Sequence, residues 1–456
     1  MTRRIIAIAL LGVVLAFLPG CWSQNATIID PNDFDPNIPL GPGEFGLVKL
    51  DPKDYPDMRT AWADRNNLEK AINKSLEYLS HKSAPNFFPS GPNDPITFNQ
   101  VQQSLLSVKA MLHDPAMTPD RFQQEIVSRF DVWTSKGFDR QGSVWFTAYF
   151  TPIYYGSRTP TAEFRYPIYR CPPDLVRDRN TGDILGQQQP DGTLRPYPTR
   201  RELSANNGAA LHGLELMYFR DPMEPYIIQV QGSAKVILPD RSEVYVGYDG
   251  KNGRDYHGLG QQLLEAHKLD PRHLSLPAVL DYYRQHPEER ETAINNSDSF
   301  VFLKEYASAE EKAEWPKGSL NVQVTENRSL ATDKHIFPRA SLTFIAVDRP
   351  ASDGVSMYPY RGFALDQDTG GAIRAAGRAD IYVGIGDQAG QQAGHQYAKG
   401  RLYYIFLKPQ FVPAAPGYPE LKPTAAPRPG SPAAGTPRGP AAPADPSMFP
   451  GAHPGG

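Results

Sequence analysis

The 456-residue chain carries 47 basic and 50 acidic side chains, a formal net charge of −3, and 40% of its residues are hydrophobic. A single core stops growing near roughly 250–300 residues, so two packed domains with appendages are expected, and stability requires neither disulfides nor a metal. The near-balanced charge supplies no basic field for a polyphosphate and argues against nucleic acid as a partner.

At the N-terminus, Met1-Thr-Arg-Arg4 is a short basic region and Ile5 to Leu18 an apolar run, short for a bilayer span but suited to a signal peptide. Leu18-Pro-Gly-Cys21 follows and resembles a lipobox, in which Cys21 becomes the lipidated first residue; Pro19 is unusual there. The alternative is an ordinary secretory signal with an incidental cysteine. No Asp follows Cys21, which places the lipid-anchored chain at the periplasmic face of the outer membrane. The only other cysteine, Cys171, then has no partner and no His nearby in sequence, and reads as a packing thiol rather than a nucleophile.

Residues 22–58, rich in Pro, Asp, Gly and Asn, read as a flexible tether. Trp62, Leu68, Ile72, Leu76 and Leu79 fall at helical spacing, and a second helix is expected from Gln100 to about His113. From Val144 onward, short apolar runs broken by turn residues predict strands at Val144–Phe150, Tyr226–Val230, Lys235–Leu238, Val244–Tyr248 and Phe300–Leu303. Further strands are expected at Val322–Val324, Leu342–Val347, Ile381–Val383 and Leu402–Leu407. The fold class is therefore mainly β with a few helices. Residues 412–456, dominated by Pro, Ala and Gly, bury too little apolar area to offset ordering entropy and are expected to be disordered.

The most informative run is Asp368-Thr-Gly-Gly-Ala-Ile-Arg-Ala-Ala-Gly-Arg-Ala-Asp380-Ile-Tyr-Val-Gly-Ile-Gly386-Asp-Gln-Ala-Gly390. Two carboxylates bracket a glycine-rich bend, where Gly370 and Gly371 offer backbone freedom and close approach to Asp368. Asp380 precedes a short apolar strand that would hold its carboxyl rigidly. On residues alone a plain turn is the favoured reading. An aspartic protease is disfavoured, because a pepsin-like chain needs two Asp-Thr-Gly motifs and only Asp368 begins one. The 10 His form no ligand-spaced cluster, and neither a P-loop nor a dinucleotide-binding Gly motif precedes a helix, so no metal and no cofactor are expected.

This run resembles the signature of the C-terminal three-aspartate domain of the A-type membrane-bound lytic murein transglycosylases. Upstream stretches agree in order: Phe146-Thr-Ala-Tyr-Phe-Thr-Pro, Glu163-Phe-Arg-Tyr-Pro-Ile-Tyr-Arg, Tyr197-Pro-Thr-Arg, Asp221-Pro-Met-Glu-Pro-Tyr-Ile-Ile-Gln-Val-Gln-Gly-Ser, Tyr248-Asp-Gly-Lys-Asn-Gly and Arg328-Ser-Leu-Ala-Thr-Asp333. The resemblance implies a double-psi β-barrel assembled from 59–145 and 304–411, with an inserted glycan-binding β domain at 146–303. It implies Asp380 as catalytic acid, with Asp368 and Asp333 as the other two acids. Substrate contacts would come from Tyr149, Thr151, Gln229, Gln231, Gly232, Ser233, Lys251 and Asn252, the glutamines projecting outward from a strand whose Ile228 and Val230 point inward. The implied activity is cleavage of peptidoglycan glycan strands, with formation of 1,6-anhydromuramic acid. Membrane attachment through Cys21 and wall-synthesis or wall-remodelling proteins complete the expected partners. A lysozyme-like hydrolase pairing Asp380 with Asp368, or a non-catalytic wall-binding lipoprotein, are the alternatives.

Overall fold

The computed structural model describes residues 37–413 except 42, 93–94, 179–181, 271–272 and 352–355. The signal segment, Cys21, the first part of the expected tether and the Pro-rich tail from 414 lie outside the described residues.

The N-terminal third supplies α1 (Arg59–Ala63), α2 (Leu68–Leu79), α3 (Phe98–Leu112) and α4 (Pro119–Arg129), with strands β1 (Leu47–Lys49), β2 (Phe130–Ser135) and β3 (Ser143–Thr151). Thr97 and Gln100 form a reciprocal capping box that starts α3, and Thr118 followed by Pro119 starts α4, which is why these helices begin where they do. Within the span expected as a tether, Leu47–Lys49 adds an edge strand to β2 in antiparallel register.

The middle of the chain contains β4 (Ile153–Tyr155), β5 (Tyr166–Tyr169), β6 (Leu175–Arg177), β7 (Ile184–Gln188), β8 (Leu194–Arg195), β9 (Glu215–Phe219), β10 (Ser233–Ile237), β11 (Glu243–Lys251) and β12 (Val301–Glu305). Among them run α5 (Arg200–Gly208), α6 (Met223–Gln231), α7 (Leu259–Glu265), α8 (Leu276–Gln285) and α9 (Arg290–Asn295). The strands form a four-stranded sheet in the order β12-β11-β10-β4 and two smaller sheets, with their own buried clusters.

The C-terminal part adds α10 (Ala309–Ala313), β13 (Ser329–Ala331), β14 (Leu342–Pro350), β15 (Met357–Asp368), β16 (Arg378–Ile385), α11 (Asp387–His395) and β17 (Ala398–Leu407). These strands join β1, β2 and β3 in one sheet, ordered β1-β2-β17-β14-β15-β13-β16-β3. β17 then pairs back onto β3, closing a six-strand barrel and abolishing the edges that an open sheet would expose. Two of its pairings, β13 with β15 and β16 with β3, are parallel.

A single apolar core runs from the barrel interior into α1–α4. Trp62 stacks on Phe122 at 3.9 Å, and Phe122 meets Phe363 of β15 edge-on. Buried Arg328 donates to the carbonyls of Asp64, Asn66 and Phe363, so one side chain ties the helical layer to the barrel.

Two strand expectations are corrected. Val322–Val324 forms no strand; its neighbourhood makes a single bridge between Lys317 and Gln323. Tyr226–Val230 is helical, lying inside α6. Asp221 Oδ1 accepts from the Met223 amide, and Glu224 accepts from the Arg220 and Asp221 amides. Gly232 ends the helix in the left-handed conformation at φ 78°. These start and stop signals outweigh the β-branched composition between them.

Candidate active site

The site is built on the outward face of β3 and β16. Alternation along β3 sends Val144, Phe146 and Phe150 into the core and leaves Trp145, Thr147, Tyr149 and Thr151 on the other side. Along β16, Ala379, Ile381 and Val383 go into the core, and Arg378, Asp380 and Tyr382 share the opposite face. The parallel register places Arg378 beside Trp145, Asp380 beside Thr147 and Tyr382 beside Tyr149. Two rows of polar and aromatic side chains therefore run side by side.

Asp380 and Asp368 are both register partners of Ala331, one on each flank of β13. With strands about 4.8 Å apart, their backbones lie roughly 10 Å from each other. Asp380 Oδ1 accepts from Thr147 Oγ1 at 2.8 Å, and no second donor reaches this carboxyl among the described residues. Burial pushes it up to about 6, against the Arg378 guanidinium and the Thr147 hydrogen bond, with Asp368 adding to the rise. Asp368 is held differently. Its Oδ1 accepts from the Ser319 and Thr369 amides at 2.7 and 2.8 Å, and its Oδ2 from the Tyr149 hydroxyl at 2.7 Å. Burial raises this carboxyl too, although all three donors and the Lys334 charge oppose the rise.

Asp333 is buried, and both its oxygens serve the backbone. Oδ1 accepts from the His335 amide and Oδ2 from the Ala375 amide at 2.9 Å, which pins the Asp368–Asp380 connection at a residue with φ 61°. Behind it lies an acid that the sequence did not single out. Asp366 is fully buried, pairs with Lys334 and accepts from Thr332 Oγ1 and the Tyr404 hydroxyl. The Thr332 amide in turn donates to the Asp368 carbonyl, so this network holds the strand end that carries Asp368.

The remaining expected residues divide into two groups. Thr151 is fully buried and its hydroxyl bonds Ser233 Oγ at 2.9 Å and the Tyr382 hydroxyl at 3.1 Å; Gln231 Oε1 accepts from the Phe150 amide. Thr151, Ser233 and Gln231 thus meet at the seam between barrel and middle sheet, with Gly232 linking the last two in the chain, and Tyr382 joins them to Tyr149 at a ring separation of 5.2 Å. The expected inward and outward alternation of 228–231 is overturned by the helix: Gln229 is 5% exposed and Val230 43% exposed. Lys251 ends β11, where burial and neighbouring Arg374 lower its ammonium below the usual range. Asn252, expected among the substrate contacts, is buried. Its amide nitrogen donates to the Pro198 and Asp298 carbonyls and its oxygen accepts from the Phe300 and Arg254 amides, so its groups are already engaged.

Gly370 and Gly371 adopt no positive φ; a side chain at Gly371 would meet Tyr256 at 3.5 Å, so its contribution is room. Tyr256, whose hydroxyl lies 3.5 Å from that of Tyr226, forms a facing wall and feels the charges of Asp380 and Arg378. Thr147, Tyr256, Arg378 and Tyr382 were not named from sequence. Period-two counting from Tyr149 and Asp380 would have found all but Tyr256. Cys171 is partly buried, accepts from Arg177 and has its thiol raised by burial, as a packing cysteine would. Outside these rows, ligand atoms of His286, Glu288 and Glu289 lie within 4.8 Å of one another, Glu289 being paired already with Lys268 and Tyr282.

Residues 145–304 match the family model of the MltA specific insert domain, and residues 328–406 match that of the 3D domain. The membrane-bound lytic murein transglycosylase A of Escherichia coli (strain K12) is 31% identical over 283 residues, 61% of this chain and 70% of that protein. Its Vibrio cholerae serotype O1 counterpart is 31% identical over 277 residues, 60% of this chain and 68% of that protein. Among solved structures, the membrane-bound lytic murein transglycosylase of Agrobacterium tumefaciens aligns with TM-score 0.63 at 24% identity, covering 80% of this chain and 98% of that one. E. coli MltA with bound chitohexaose aligns with TM-score 0.60 at 24% identity, covering 82% and 99%. These two structures share the fold, with which the double-psi expectation agrees. A closed barrel ending in a 3D domain and carrying this insert defines a class of wall-processing proteins. The chain belongs to the membrane-bound lytic murein transglycosylase A family.

Proposed function

We propose that the chain cleaves the β-1,4 bond between N-acetylmuramic acid and N-acetylglucosamine in peptidoglycan and leaves 1,6-anhydromuramic acid ends, as part of cell-wall turnover. The observation that supports this most is Asp380: a carboxyl with one donor, pushed up to about 6 by burial, on the open face of a barrel of this family. Such a group is protonated in an appreciable fraction near neutral pH and has an oxygen left for substrate.

In the first half of the reaction Asp380 gives its proton to the glycosidic oxygen as the C1–O bond breaks and an oxocarbenium-like centre develops. The resulting carboxylate then takes the proton of the muramyl C6 hydroxyl, whose oxygen closes on C1. The attacking group is part of the substrate and needs no water or second carboxylate, because intramolecular placement supplies it at high effective concentration. Asp368, with three donors, and Asp333, with both oxygens on amides, position the strands and loop around Asp380. Residues 146–303 form the glycan-holding wall. Tyr149, Gly232 and Lys251 contact sugar, Thr151, Ser233 and Gln231 brace the seam, and buried Gln229 and Asn252 hold the middle domain in shape behind it. A relative crystallised with chitohexaose supports a glycan in the groove. The relatives are described as membrane-bound, and no helix among the described residues is long and apolar enough to cross a membrane. We assign attachment to lipid on Cys21 at the outer membrane, facing the wall and its synthesis or remodelling proteins.

Mass analysis of the material released from purified sacculi tests the reaction. Anhydro-muropeptides are expected; products heavier by one water would replace this reading with a lysozyme-like hydrolase, and no soluble product with a wall-binding protein.

A further inference from the structure

The two rows on β3 and β16 continue past Asp380. Arg378 lies two residues before it on the same strand face, about 7 Å away, and its register partner is Trp145. At this end Trp145 stacks between Tyr397 at 4.6 Å and Phe138 at 6.1 Å, and Lys399 Nζ sits 5.3 Å from the Phe138 and Trp145 ring centroids. The opposite end, where Thr151, Ser233 and Tyr382 meet, presents neutral hydroxyls. One end of the floor is thus cationic and aromatic, and the other carries hydroxyls with the Glu326 carboxylate near Tyr382.

Arg378 Nε is buried and has no hydrogen-bond partner among the described residues. An orphaned guanidinium N–H is costly, since it has lost water without gaining an acceptor. The charge of the same side chain acts on Asp380, Tyr256 and Tyr397, which places it between the barrel face and the Tyr256 wall rather than out in solvent. A fixed cation beside a group that must hold a proton works against acid chemistry unless an anion offsets it on binding. Guanidinium groups pair with planar carboxylates in two-point geometry, and Lys399 adds a second positive charge nearby.

We propose that Arg378 binds a carboxylate of the substrate and makes the groove selective for anionic over neutral glycan. This rests on the reading of the chain as a peptidoglycan lytic enzyme. Peptidoglycan offers that carboxylate in two places: the lactyl group of muramyl residues stripped of peptide, and the acidic residues of the stem peptide where the lactyl group is amidated.

The test compares binding in an Asp380→Asn background, so that no ligand is turned over, with and without Arg378→Gln. Three ligands serve: peptide-free glycan strands with free lactyl carboxylates, stem-bearing strands, and chitohexaose, which has no carboxylate. The Arg378→Gln change is expected to weaken binding of at least one anionic ligand by roughly ten- to a hundredfold, with chitohexaose within about twofold. Loss confined to peptide-free strands identifies the lactyl group; loss confined to stem-bearing strands identifies the stem. Arg378→Lys should recover part of the loss, and in the active enzyme Arg378→Gln should raise KM on the same ligand more than it lowers kcat. Equal weakening of all three ligands, or of none, overturns the proposal. If the parent enzyme releases no anhydro product from any strand while the Arg378→Gln selectivity persists, the catalytic reading fails and the anion site stands.

Discussion

Asp380 and Asp368 stand on either flank of Ala331, are pushed in the same direction by burial, and differ in what holds them. One hydroxyl approaches Asp380, whereas two amides and a phenol converge on Asp368. The lesson is that donor count separates a reacting acid from a positioning one when burial alone does not. A carboxyl saturated with donors is fixed in place; one with a free oxygen can lose and regain a proton against a ligand.

The widest separation is expected in turnover. Asp380→Asn should lower kcat on sacculi by at least about a thousandfold, the scale of losing a group that acts as both acid and base, while Asp368→Asn, able to keep a similar hydrogen-bond pattern, should cost about ten- to a hundredfold. Similar losses in the two variants would merge the roles. Stability should separate the residues in the other direction. Asp368→Ala leaves three donors around an empty position and should destabilise by about 2–4 kcal/mol in urea unfolding. Asp380→Ala strands a single hydroxyl that can turn toward water, and should cost under about 1 kcal/mol.

A smaller effect concerns pH. A carboxyl near 6 in the folded chain and about 4 when unfolded binds its proton more tightly in the native state. Its protonation therefore supports the fold below about pH 4, and that support is lost as the pH rises through about 6. After allowance for partial exposure the penalty above pH 6 is about 1–2 kcal/mol. Asp380→Asn should be more stable than the parent by that amount at pH 7.5 and equal to it at pH 4. An unchanged difference across that range would show the carboxyl to be unshifted. The smallest effect is expected from Thr147→Val. Loss of the hydrogen bond that favours the ionised form should move the alkaline limb of the activity profile up by about half a pH unit to one unit; a downward move would mean that Thr147 favours the protonated acid.

Much of the barrel was legible because its strands alternate. Val144, Phe146 and Phe150 point inward at period two, and the same count exposes Thr147 and Tyr149. The helices around Leu68–Leu79 and Phe98–Leu112 were legible from period 3.6 and from Thr97 with Gln100. α6 was not, because Tyr226-Ile-Ile and Val230 have strand composition and the capping signals of Asp221, Glu224 and Gly232 carry the opposite message. Period counting cannot report that Gln229 is buried until the period is known. Three features had no local signal. The saturation of Asp368 depends on Ser319 and Tyr149, the engagement of Asn252 on Pro198 and Asp298, and the Tyr256 wall on a loop more than a hundred residues from Asp380. Each is made by chain segments brought together only in the finished fold.

The closure of the barrel has a temporal consequence. β3 waits for its two partners, β16 and β17, until more than two hundred further residues have been made, and β17 ends at Leu407. Pairings of such long sequence separation form late, since the loop must close before contact rewards it. A ribosome that stalls before the last strand therefore yields a fragment with Thr147 but no Asp380, or with Asp380 on an unclosed sheet. The cutting edge is the last part of the molecule to be assembled, and the cell's wall is not exposed to a half-made blade.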